Sequence, residues 1–387
     1  MNNKRPRVLH FICSTGFYGA EKWVLALANN IERDEIDSEL VVTREPENQD
    51  LQLTKAVKDL QLPAHELPMS GRFDLRVVRL LVKLIRDRNI DILHSHGYKS
   101  DIIGIIASKI AKVKSISTPH GFEKTDDWKL HQFIRLGCLT FRYFDLVAPL
   151  SIELCNDVRK FGVSEKKMVY IRNGVDLSPI KFRSPSQYRA SSGQAETART
   201  IGFIGQLIGR KNVYDLLDVF NTIAAENPDV KLVLLGDGDS RALSEEYASR
   251  LPTHKQIQFA GFQNQPLEHL ATFDLFVMTS TLEGIPRCLM ESMAMGVPVA
   301  AYDIPGVDQL IEHGKTGLMA PLGDKEALVA CWRELLWDSD VADEIARNAA
   351  KHINEKFSAK RMAVEYTEVY SQLIDGSEII GNKATPR

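Results

Sequence analysis

Short runs rich in Val, Ile and Leu alternate with helix-length amphipathic segments along nearly all of the 387 residues, and the alternation runs its course twice. Strands that read as continuous apolar runs are buried on both faces, so the pattern demands parallel sheets covered by helices. In the first half the spacing predicts strands at 7–13, 38–43, 91–95, 114–118, 145–150 and 168–172, and helices at 20–31, 74–88, 100–111, 128–142 and 152–161. The second half restarts with strands near 200–205, 231–235, 257–260, 275–279 and 297–301, and helices near 212–226, 241–250, 286–295, 324–337 and 341–354. The expected fold class is α/β, two doubly wound domains, since a chain this long exceeds what one core holds. Residues 1–180 form the first domain and 200–357 the second. The polar stretch 181–199, with Ser184-Pro185-Ser186 and Ser191-Ser192-Gly193, is expected to be a linker. Residues 358–387 read as a final helix, able to pack back on the first domain, and a tail. Such domains are expected to face each other across a cleft, with ligands at the carboxyl ends of the strands.

Composition narrows the class further. With 44% hydrophobic and 26% charged residues, the chain is neither disordered nor fibrous. Its five Cys (Cys13, Cys138, Cys155, Cys288, Cys331) are scattered and contain no C-x-x-C pair, so no disulfide framework or zinc cluster is encoded and a reducing, cytoplasmic setting is expected. The best apolar run, Ile102–Ala107, is far too short to span a bilayer. Val8–Cys13, behind Lys4, Arg5 and Arg7, is interrupted by His10 and runs into a Gly turn, so it reads as a first strand and not a signal peptide. Net charge is −3, yet residues 1–180 carry 27 basic and 23 acidic side chains against 21 and 28 in 181–387. The positive field belongs to the first half. An acidic second half and the lack of any reader motif disfavour nucleic acid as a partner.

The densest chemistry is Leu282-Glu283-Gly284-Ile285-Pro286-Arg287-Cys288-Leu289-Met290-Glu291, closed by Gly296 and Pro298. A strand ends near Ser280, Glu283-Gly284 turns the chain, Pro286 suits the first helical position and Gly296 stops the helix. A helix start presents unpaired N–H groups and positive dipole, which suits an anion such as phosphate. Glu283 and Glu291 bracket it as acceptors for the hydroxyls of ribose or hexose. Gly205 ends a strand, and Arg210 and Lys211 follow at a helix start, where cations oppose the dipole unless an anion joins them. Gly16 and Gly19 give a tight loop after the first strand. His120 ends a strand before Gly121. His94 and His96 share a strand face that could hold a metal, but no third ligand is apparent. Asp237-Gly238-Asp239 reads as a turn and not as a metal-binding D-x-D, and no P-loop occurs.

These segments together resemble glycosyltransferase family 4, the retaining enzymes with the GT-B fold and an E-x7-E signature. Glu283 to Glu291 resembles that signature, and Gly16-Phe17-Tyr18-Gly19-Ala20-Glu21, Thr118-Pro119-His120-Gly121, Asn173-Gly174-Val175-Asp176, Gly205 to Lys211 and Gly236-Asp237-Gly238 match in order. The resemblance implies two Rossmann-like domains, an N-terminal one for the acceptor and a C-terminal one for a UDP-, GDP- or ADP-sugar. It implies transfer of a hexose or N-acetylhexosamine to a glycan or lipid-linked acceptor, in surface polysaccharide or glycolipid synthesis, with no metal and no further cofactor. It makes Arg210 and Lys211 the diphosphate holders, Glu283 and Glu291 the binders of sugar and ribose hydroxyls, and His120 a residue on the sugar and acceptor side. Gly16, Gly19, Gly205, Gly284, Ile285 and Pro286 would shape the donor site. The first loop departs from the pattern at Tyr18-Gly19, where a Gly pair is common. A sugar-nucleotide epimerase or hydrolase on the same frame, told apart by product from donor and water alone, and a non-catalytic partner-binding subunit are the competing readings. Arg72, Arg76, Arg79, Lys83 and Arg86 recur every three or four residues as one helix stripe. Such a stripe is either solvated surface or a peripheral seat on an anionic membrane face.

Overall fold

The computed structural model describes residues 5–13, 16–17, 19–46, 51–71, 74–121, 128–193, 195 and 197–379, without the side chains of 129–131. The readings placed on Tyr18, on Arg72 and on the tail past 379 lie outside the described residues. The chain divides into two compact units, Met1–Asp176 with Ser358–Arg387, and Leu177–Phe357.

The first unit runs β1 (Arg7–Ile12), α1 (Gly19–Asn30), β2 (Asp37–Arg44), α2 (Gln52–Asp59), β3 (Ala64–Pro68), α3 (Leu75–Asp87), β4 (Ile92–His96), α4 (Tyr98–Ala111), β5 (Lys114–Thr118), α5 (Trp128–Thr140), β6 (Leu146–Val147) and α6 (Ile152–Lys160). Its strands form one sheet in the order β3-β2-β1-β4-β5-β6, all parallel. Both faces are covered, as the apolar strands require: Val8 packs with the α1 side chains Trp23, Val24 and Leu27, while Leu9 and Phe11 pack with Val77, Leu81 and Ile85 of α3. Each such burial stabilises the unit by roughly 1.5–3 kcal/mol.

The second unit runs α7 (Pro185–Ser192), β7 (Arg199–Ile204), α8 (Val213–Glu226), β8 (Val230–Leu235), α9 (Arg241–Ser249), β9 (Ile257–Gly261), α10 (Pro266–Leu270), β10 (Leu275–Met278), α11 (Arg287–Met295), β11 (Val299–Asp303), β12 (Leu318–Pro321), α12 (Lys325–Trp337) and α13 (Ser339–Lys356). Its sheet is β12-β11-β10-β7-β8-β9, again parallel. The last helix, α14 (Ala359–Asp375), belongs to the first unit, where Met362, Tyr366, Tyr370 and Leu373 enter the core beside Trp23.

Several expectations need correction. Residues 181–199, read as a linker, hold α7 and fall within the second unit. The helix is specified by its ends: Ser184 and Gln187 make a reciprocal capping box, Pro185 opens the first turn and Gly193 closes it in the left-handed region at φ 66°. The Tyr188 hydroxyl donates to Thr272 O at 2.9 Å, and the Ser186 N–H to Asp343 at 2.9 Å, anchoring a helix that has little apolar periodicity. Residues 168–172 form no continuous strand; Met168 and Tyr170 are isolated bridge residues, Met168 opposite Val147, and the Val169 N–H donates to Val147 O at 3.0 Å. The sequence reading also lacked β3, β12, α2 and α10, which are short or polar. No helix among the described residues is long and apolar enough to cross a membrane.

Candidate active site

In each sheet the chain order reverses at one place, between β1 and β4 in the first unit and between β7 and β10 in the second. Loops leaving neighbouring strands in opposite directions open a crevice there, which is where open parallel sheets bind ligands.

In the second unit the loops after β7 and β10 meet at that place. A tight turn, Gly209–Lys211, follows β7, and the chain from Thr279 to Pro286 follows β10. The Thr281 N–H donates to Arg210 O at 2.8 Å, and the Thr279 hydroxyl to Asn212 O at 3.0 Å, tying the two loops together. On this frame Lys211 Nζ lies 2.6 Å from Glu283 Oε1, with both side chains under a tenth exposed. Arg210 donates to Glu283 Oε2 at 3.2 Å and to Leu282 O at 3.0 Å, its side chain 42% exposed. The resemblance gives Arg210 and Lys211 to the diphosphate and Glu283 to sugar hydroxyls; the structure joins all three into one ionic cluster with a single excess positive charge. Gly205 lies beside the Lys211 stem. Only glycine fits at Gly236 (φ 136°), where a Cβ would stand 1.8 Å from Gly205 O, and at Gly306 (φ 91°), where it would stand 1.7 Å from Gly284 O.

The helix after Glu283 begins at Arg287, so Pro286 stands one position earlier than expected, as the N-cap. No side chain caps this end, which leaves the first N–H groups of α11 open to a ligand. Arg287 Nε donates to Glu291 Oε1 at 2.6 Å and so orients a carboxylate that is almost fully buried. Arg287 was not singled out from sequence, although its i,i+4 spacing to Glu291 was visible. Ile285 is half-buried and Pro286 buried. Burial pushes the Cys288 thiol up to about 12, which keeps it protonated and poor as a nucleophile.

In the first unit Gly16 lies in the loop after β1, and Gly19 opens α1. The third histidine that sequence reading could not find is His10, placed opposite His94 by the β1–β4 register. Ring nitrogens of His10, His94 and His96 lie within 4.8 Å of one another. They are already hydrogen-bonded, His94 through both nitrogens: Nδ1 to Tyr370 Oη at 2.7 Å and Nε2 to Thr118 Oγ1 at 2.8 Å. A metal taking all three would have to displace those bonds. Thr118 in turn meets Tyr366 Oη at 2.8 Å. His120, half-buried, joins the group through His96 at 3.3 Å and packs edge-on against Trp23, ring centroids 5.0 Å apart. Desolvation lowers His10 to about 4 and His120 to about 3, and holds His94 and His96 well below the usual imidazole range. The cluster is neutral.

Of the basic stripe on α3, Arg76 is tied to Asp74 and Ser70, Lys83 pairs with Asp87, and Arg86 donates to Ile110 O at 3.3 Å. Val77, Val78, Leu81, Val82 and Ile85 face the core opposite it.

Two doubly wound parallel sheets, each with a polar cluster at its point of reversal, are the architecture of the GT-B fold. Residues 17–179 match the family model for Glycosyltransferase Family 4, and residues 185–352 that for Glycosyl transferases group 1. The chain belongs to the family-4 glycosyltransferases. It is similar to the N-acetyl-alpha-D-glucosaminyl L-malate synthase of Bacillus anthracis, at 26% identity over 78% of this chain and 80% of that one. It is also similar to the UDP-Gal:alpha-D-GlcNAc-diphosphoundecaprenol alpha-1,3-galactosyltransferase of Escherichia coli, at 24% identity over 78% and 80%. Among solved structures, Anabaena Alr3699/HepE in complex with UDP superposes with a TM-score of 0.80 at 21% identity, covering 95% of this chain and all of that one.

Proposed function

We propose that the protein moves a hexose or N-acetylhexosamine, with retention, from a nucleotide-diphosphate sugar to a glycan or lipid-linked acceptor. The observation that carries this reading is the Arg210–Lys211–Glu283 cluster beside the uncapped start of α11, at the reversal point of the second sheet. As the bond to the anomeric carbon breaks, negative charge grows on the leaving diphosphate. Arg210, Lys211 and the first N–H groups of α11 are placed to stabilise that charge, doing the work a divalent ion does elsewhere. Glu283, oriented by both cations, accepts from sugar hydroxyls, and Glu291, oriented by Arg287, accepts from the ribose. Gly205, Gly284, Ile285 and Pro286 shape the donor pocket. The first unit takes the acceptor, with Gly16, Gly19 and His120 in the loops at the carboxyl ends of its own strands as the residues that serve it. A UDP-sugar is the favoured donor, supported by the galactosyltransferase relative named for UDP-Gal and by the Anabaena structure with UDP. The lipid-linked relative and the α3 stripe support a peripheral, cytoplasmic-face location.

A thermal-shift panel of UDP-, GDP- and ADP-sugars, followed by transfer assays, tests this: one donor raises the Tm and yields product that needs an acceptor, and EDTA leaves turnover unchanged. Release of free sugar from donor and water at the full rate would point instead to a hydrolase.

A further inference from the structure

Three imidazoles of the first unit form a single hydrogen-bonded line. His10 Nδ1 lies 3.1 Å from His96 Nε2, and His96 Nδ1 lies 3.3 Å from His120 Nε2. A neutral imidazole has one N–H and one bare nitrogen, so the line runs in one of two directions. If each ring donates toward His120, the nitrogen left at the inner end, His10 Nε2, is a lone pair. If each donates away from His120, that nitrogen is an N–H. His10 Nε2 is buried and has no hydrogen-bond partner among the described residues. A buried N–H without an acceptor is the rarer situation, and a carbonyl-like lone pair without a donor the more tolerated one. The other unpartnered buried atom of the ring cluster, Trp23 Nε1, is itself a donor, so it offers no acceptor to a proton on His10. The side chains facing the line from α1, β5 and α14 are Trp23, Thr118, Tyr366 and Tyr370, all uncharged.

We propose that His10 and His96 are positioning residues that fix the tautomer of His120: its Nε2 accepts from His96, and its Nδ1 carries the proton as a hydrogen-bond donor to an oxygen of the sugar or acceptor. The partner oxygen rests on the proposed transfer function; the tautomer does not. His120 therefore acts as a donor and not as a base at its free nitrogen.

The test is a long-range proton–nitrogen correlation spectrum of the full chain labelled with nitrogen-15 histidine, with the His120 signals identified by their loss in His120→Gln. Wild-type protein shows the proton on Nδ1 of His120. His10→Asn, which keeps a donor at the Nδ position, preserves it. His10→Leu and His96→Leu let the Nε2–H form appear and lower kcat about tenfold, the worth of one hydrogen bond. A wild-type proton on Nε2 overturns the direction of the line. An unchanged Nδ1–H in folded His96→Leu overturns the positioning role. A tautomer that shifts while kcat stays constant supports the line and removes the role given to His120 in transfer.

Discussion

The same sheet architecture, with its chain order reversing at one point, carries opposite electrostatics in the two units. At the first reversal point, burial keeps four imidazoles uncharged among Trp23, Tyr366 and Tyr370. At the second, the buried side chains of Lys211 and Glu283 answer each other at 2.6 Å, and Arg210 adds a third, exposed member. Burial alone does not decide ionisation; the presence of an opposite charge within hydrogen-bond reach does.

Removing members of the charged cluster should produce the largest effect. Arg210→Ala, Lys211→Ala and Glu283→Ala each lower turnover by about 10²–10³-fold, as loss of a preorganised stabiliser of developing charge does. Their stabilities should separate. Arg210→Ala unfolds near the wild-type temperature, Glu283→Ala strands the buried Lys211 at a cost of roughly 3–5 kcal/mol, and Lys211→Ala costs less because Arg210 still answers Glu283. The double variant Lys211→Met/Glu283→Gln recovers stability but not turnover, which denaturant titration and a transfer assay read together. Full activity in all three single variants would reduce the cluster to a structural strut.

The neutral cluster predicts acid sensitivity of moderate size. A His whose folded-state pKa lies below its unfolded value contributes stability that is complete above about 6.5 and lost as pH falls. Both losses begin near 6.5; that of His10 is complete near its folded value of about 4, and that of His120 near about 3. Denaturant titration of wild type and His10→Asn at pH 7.5 and pH 4 should show wild type losing roughly 3 kcal/mol more than the variant. Equal losses would mean that the inner histidine is not neutral when folded.

The smallest effect concerns the α3 stripe, outside both clusters. Because Arg76 and Lys83 are already matched by Asp74 and Asp87, only a several-fold drop in recovery on anionic vesicles is expected for Arg76→Glu with Arg79→Glu. Equal flotation of wild type on neutral and anionic vesicles would assign the stripe to solvent.

The alternating pattern made both sheets legible because buried parallel strands advertise themselves as apolar runs. The helix in 185–192 escaped because its information lies in Ser184, Gln187 and Gly193, which composition reads as loop. Within the site, the residue types and their loops were visible, but pairings made across the sheet were not. His10 meets His96 across 86 positions, and Lys211 meets Glu283 across 72. Register and loop approach create those contacts, and neither is encoded in local spacing.

The Ala359 N–H donates to Val175 O at 2.8 Å, so the chain re-enters the first unit almost where it left it, with the whole second unit as an excursion in between. Tyr366 and Tyr370 therefore complete a core whose members on α1 and the sheet strands were synthesised more than two hundred residues earlier. During synthesis Trp23 and the imidazoles therefore lack Tyr366 and Tyr370 until the whole second unit has been made. Any lesion that removes residues 359–375 is thus a lesion of the first unit, despite their distance from it along the sequence.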